Sequence, residues 1–133
     1  MKDSDIREIF CKPGDERALL SYALRNVDFY YDMTTKISST DFLRPEHSLL
    51  FMVLGVLQQH NASKFDLQLV INSAQDQGVL ETIGGLEYVQ SIASMEISDS
   101  KYKVFLKNVL ESSTKYSLYK NLTHNLSEIV DND

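Results

Sequence analysis

Few residues in this chain are of types that do chemistry, and their spacing matches no known catalytic or ligand-binding arrangement. The three histidines, His47, His60 and His124, are scattered, with no cysteine or acid at the spacing a metal site uses. Each reads as a helix-end or surface residue. The single cysteine, Cys11, excludes an internal disulfide and a cysteine-based zinc cage. His47 is the conceivable base for a Cys11 nucleophile, but nothing local places the two together. No lysine follows a glycine, which removes the phosphate-binding loop of nucleotide hydrolases. Gly84-Gly85 lacks the preceding strand and the third glycine of a dinucleotide site, so it reads as a structural turn. Acids are numerous but form no paired-carboxylate motif. The expectation is a chain with no catalytic, metal-ligating or cofactor-binding residue.

The elements that would position these residues are helical. Three of the five glycines lie in residues 77–88, and no glycine or proline follows Gly85. This stretch divides short helices separated by breakers from a long uninterrupted one. Residues 1–14 read as an N-terminal tail or one loose helical turn. Asp15 suits an N-cap for a helix carrying Ala18, Leu19, Leu20, Ala23 and Leu24 on one face. Phe29, Tyr30 and Tyr31, between Asp28 and Asp32, anchor a short helix to the core. Pro45 opens a helix to about residue 60, apolar nearly all round and expected at the centre of a bundle. A turn at residues 61–63 follows, then a helix capped by Asp66 and ended by Gly78. Leu86, Val89, Ile92 and Ala93 mark a short amphipathic helix, and Ser98 caps the last segment.

In that segment Phe105, Val109, Ser112, Tyr116, Tyr119, Thr123, Leu126 and Val130 alternate steps of four and three, as a helix packing along one partner helix requires. Some thirty residues would reach about 45 Å, more than the head can cover. The fold class is all-α: a compact multi-helix head (15–97) followed by a long helical arm (98–133). An arm with exposed apolar residues needs a partner.

Charge and composition narrow the setting. Residues 1–98 hold eight basic and fourteen acidic residues, whereas 101–120 hold five lysines against Glu111 alone. An acidic head argues against an autonomous DNA-binding domain, and direct DNA contact by this chain is expected to be absent or weak. The longest apolar run, 49–57, is too short to span a bilayer, no segment has a signal-peptide layout, and cysteine usage fits a reducing interior. No membrane association and a cytoplasmic location are expected.

Five blocks then carry a resemblance. They are Asp15-Glu16-Arg17-Ala18-Leu19-Leu20, an acid before a leucine-rich turn; Asp41-Phe42, then His47, then a bulky run ending in Phe51; Phe65-Asp66-Leu67; Gln77-Gly78-Val79-Leu80; and Ile83-Gly84-Gly85-Leu86-Glu87-Tyr88-Val89, a Gly-Gly-x-x-Tyr motif. In this order and spacing they resemble the N-terminal domain of the hexameric replicative DNA helicases of bacteria and their phages, the DnaB type. Phe105 stands where a tyrosine is usual and Tyr116 where an arginine is common, so the arm departs most from the family pattern.

The resemblance implies a non-catalytic collar domain: a helical head plus a hairpin of two long helices. Hairpins pair between subunits into a hexamer, a trimer of dimers, and the collar docks primase and the helicase loader during DNA replication. ATP and magnesium would belong only to a RecA-like motor domain, which these residues do not contain. The second hairpin helix would lie beyond residue 133, so the chain reads as an excised domain. Phe105, Val109, Tyr116, Tyr119 and Leu126 are the expected subunit-pairing contacts, with Tyr88 bracing head against arm near the docking surface. A stand-alone regulator, such as a phage protein or a primase-type domain that binds the helicase, is the alternative. The reading frame beyond Asp133 separates the two.

Overall fold

The computed structural model describes residues 2–60 and 65–131, with 127–131 described by their backbone alone. The turn read at 61–63, the last two residues of the arm and the Val130 side chain lie outside this description. Among the described residues every regular element is helical: α1 (Asp3–Phe10), α2 (Pro13–Arg25), α3 (Val27–Thr34), α4 (Pro45–Gln59), α5 (Leu67–Asp76), α6 (Leu80–Ile83), α7 (Gly85–Ala93) and α8 (Tyr102–Asp131). Single 3-10 turns at Ser39–Asp41 and Asp99–Lys101 lead into α4 and α8.

Local chemistry sets most boundaries. Asn26 caps α3 by accepting from the Asp28 N–H at 2.9 Å, and Asp66 caps α5 by accepting from the Gln68 N–H at 2.8 Å. Pro45 holds the first position of α4, where its missing N–H costs nothing. The start of α2 differs from expectation. Lys12 is its N-cap and Pro13 its first residue, which brings Asp15 and Glu16 inside the first turn. Residues 3–10, read as tail or one loose helical turn, form a two-turn helix against α8.

The centre of the bundle is α2 rather than the expected α4. From Ala18 to Leu24 α2 is buried at every position, and it touches α3, α4, α7 and α8. Its small residues Ala18, Ser21 and Ala23 let neighbours approach on all sides, and the Tyr22 hydroxyl donates to the Ser98 carbonyl. By contrast α4 is apolar on its outer side too, with Met52 52% exposed. The larger number of apolar residues in α4 did not place it at the centre; side-chain size decided which helix could be enclosed. The glycine within α4, Gly55, answers to a close approach: a Cβ there would lie 3.4 Å from the Tyr30 hydroxyl of α3.

The arm is rooted by aromatic packing and polar ties. Tyr22, Phe29 and Tyr102 have ring centroids 4.8–5.4 Å apart, and Phe105 flanks Tyr22. The Tyr102 hydroxyl donates to Asp32 at 2.7 Å, Arg25 pairs with Asp99 at 2.7 Å, and Ser113 donates to Asp41 at 2.6 Å. Beyond Tyr116 the arm leaves the head.

Candidate functional site

Three distant residues converge behind the Gly84-Gly85 bend. Gly84 has φ +120° and Gly85 φ +82°, values that favour glycine. A Cβ on Gly84 would sit 2.9 Å from the side chain of Tyr88, so the absent side chain is what lets that residue fold back over the bend. The Tyr88 ring then lies nearly parallel to the imidazole of His47, at 6° with the centroids 6.0 Å apart. Its hydroxyl meets His47 Nε2 at 2.6 Å.

His47 is completely buried, and its Nδ1 lies 2.7 Å from Glu16 Oε1. Glu16, 2% exposed, also accepts from the Leu43 N–H at 2.7 Å and the Arg44 N–H at 3.3 Å. An ionised carboxylate only accepts, so Nδ1 is the donor to it; in the neutral ring Nε2 then accepts from the Tyr88 hydroxyl. The chain Glu16–His47–Tyr88 has the residue order of an acid–base relay, yet each terminus is already occupied. Glu16 satisfies the backbone entering α4, and Tyr88 ends on His47. The arrangement fastens α2, α4 and α7 together, and a buried network in which every member has a partner rigidifies a core.

This refines one expectation and corrects another. His47 is a helix-end residue, in the first turn of α4, but it is buried rather than on the surface and is the hub of the head. Tyr88 braces the bend against α4, not the head against the arm, and its hydroxyl points inward. Sequence inspection missed Glu16 as a partner because it stands 31 residues from His47. The available signal was that the first, second and fifth of the resemblance blocks each contribute one member of the network.

Cys11 lies at the same end of α2. Burial, followed by the Glu16 charge, pushes its thiol up to about 12, so it stays protonated and a poor nucleophile at neutral pH. It lines a cleft of about 440 Å³ with Arg7, Glu8, Arg44 and Glu46, whose charges are mixed in sign. Among the described residues no group of three or more His, Cys, Asp and Glu is placed to hold a metal ion.

The expected pairing residues divide along the arm. Val109 and Tyr116 are 1% and 7% exposed, because their surface is spent inside this chain, and Phe105 is half-buried at the root. Tyr119 and Leu126 remain 40% and 62% exposed. Two further exposed leucines, Leu118 at 58% and Leu122 at 62%, widen the apolar strip beside them.

Fold and site together define an all-helical module whose most distinctive buried group is a structural clasp and whose arm carries an open apolar face. The model of the DnaB-like helicase N-terminal domain matches residues 11–111, and the chain belongs to that family. A crystal structure of the N-terminal domain of DnaB helicase from Mycobacterium tuberculosis superposes with a TM-score of 0.81 at 20% identity, covering 88% of this chain and 83% of that one. That likeness establishes the all-α fold. Comparison with curated proteins finds no match. Among the described residues no helix is long and apolar enough to cross a membrane.

Proposed function

We propose that this chain is the non-catalytic collar domain of a replicative DNA helicase, which pairs subunits through its arm and presents the head to primase or the helicase loader. Family membership supports the helicase setting. The observation that carries the pairing role is the distal arm: every residue from Ser117 to Leu126 is exposed, including three leucines and Tyr119. Burying one such leucine is worth about 1.5–3 kcal/mol, a strong incentive to cover the strip with another helix.

The clasp contributes by holding α2, α4 and α7 as one body, so that a force or contact on the head is transmitted to the arm root rather than absorbed. ATP hydrolysis and strand separation fall to a motor domain outside these residues, and contact with DNA through the arm lysines is at most weak. Solution mass tests the pairing. A chain extended to complete the helical hairpin should associate more strongly than residues 1–133 alone; strictly monomeric behaviour of both would overturn the proposal.

A further inference from the structure

α1 precedes the family-matched span and is attached differently from every other helix. None of its residues is fully buried. It is fastened to the arm by polar contacts around one side chain, Tyr116. The Tyr116 hydroxyl donates to Asp3, and Arg7 Nε donates to that hydroxyl at 3.2 Å and to Asp3 Oδ2 at 2.9 Å. The Arg7 guanidinium and the Lys120 ammonium lie 5.4 and 5.7 Å from the Tyr116 ring centroid, and Lys120 Nζ is 3.9 Å from Asp3 Oδ1. One aromatic contact adds to these: Phe10 against Tyr119, with centroids 5.6 Å apart. Exposed ion pairs of this kind are individually weak and screened by salt. The root of the arm, by contrast, rests on packed aromatic rings.

What α1 covers is the continuation of the 4-3 seam. Phe105, Val109 and Ser112 of that seam pack on the head; Tyr116 and Tyr119, the next two positions, pack on α1. At 3.6 residues per turn, Leu118, Leu122, Leu126, Tyr119 and Tyr116 together span about 160° of the helix circumference. With α1 in place the two tyrosines at one edge of that face are covered wholly or in part. With α1 released they join the leucines in one continuous apolar face. Between Ser117 and Leu126 the only Lys, Arg, Asp or Glu is Lys120, so a second arm laid along this face meets little like-charge repulsion.

We propose that α1 is a salt-sensitive strap that closes the arm at Tyr116 and Tyr119, and that its release widens the pairing face for the arm of a second copy of this chain. The inference rests on the arm-pairing reading above and adds its regulation. While the strap is closed only the open fraction pairs fully, and both copies must open, so a strap closed nine-tenths of the time in each weakens apparent association about a hundred-fold.

The test compares the wild-type chain with the double variant Asp3→Asn/Arg7→Gln by sedimentation equilibrium, from about 0.05 to about 0.5 M NaCl. The variant should associate about ten- to hundred-fold more tightly at low salt. The wild type should approach the variant as salt rises, with faster amide hydrogen exchange across α1. Circular-dichroism melting checks that the head is intact, and a chain lacking residues 1–10 provides a second release if the double variant is unstable. Equal association of all forms would overturn the strap and leave pairing standing. Weaker association of the variant would mean that α1 belongs to the pairing face, which also overturns the strap. If no form associates at any salt, the strap fails; the pairing reading fails with it only if the chain extended to complete the hairpin is monomeric too.

Discussion

At Gly84 the backbone and the neighbouring ring impose the same requirement, since its φ of +120° disfavours any side chain and Tyr88 occupies the space a Cβ would need. Gly84→Ala is therefore expected to cost about 1–3 kcal/mol, read as a lowered urea midpoint at unchanged slope. Tyr88→Phe keeps the ring over the bend but leaves His47 Nε2 buried without its partner. That should cost about 1–3 kcal/mol, whereas Tyr31→Phe, at an exposed ring, should stay within about 0.5 kcal/mol. Equal effects of the two tyrosine changes would show that the clasp contributes nothing. The glycine pair was legible in the sequence as a bend, because left-handed backbone is written in residue type. The partnership of residues 16, 47 and 88 was not, because long-range hydrogen bonding leaves no periodicity to read.

The helices themselves were largely legible. Proline position and a capping residue marked the starts of α4 and α5, and the Ser98 turn announced α8. The role of each helix was less so: the most apolar one, α4, lies outside α2, which is buried because it is narrow. The 4-3 seam of α8 identified a packing stripe but not its occupant, and the first half of that stripe packs on the chain's own head. The root depends partly on Asp32, whose carboxyl is held below the usual range by hydrogen bonds from Lys36 first and then Tyr102. A depressed folded-state value means stability that is present above the unfolded value, near 3.9, and lost as pH falls through the folded one. Melting temperature should accordingly fall with acidification below about pH 4. Tyr102→Phe, which removes one of the two bonds, should make that fall shallower; an unchanged acid profile would show that the tie is not maintained in solution.

The whole molecule is an acidic head with a lysine-bearing arm, joined through a packed and hydrogen-bonded root. The clasp, the aromatic root and the Arg25–Asp99 pair all serve that architecture, and none of them leaves a group free for chemistry on a substrate. Family membership sets the head in a helicase, and the proposed assembly through the arm rests on the apolar strip along Leu118, Leu122 and Leu126. These leucines are exposed in the single chain, so replacing them changes little in its own stability. The most direct measurement is sedimentation equilibrium of the wild-type chain beside Leu118→Asp/Leu122→Asp. Concentration-dependent association of the wild type is expected, weakened on the order of ten-fold or more in the variant, with both melting at the same temperature at concentrations where each is monomeric. Association that is identical in the two proteins, or absent at every concentration both from the wild type and from the chain extended to complete the hairpin, would contradict assembly through the arm.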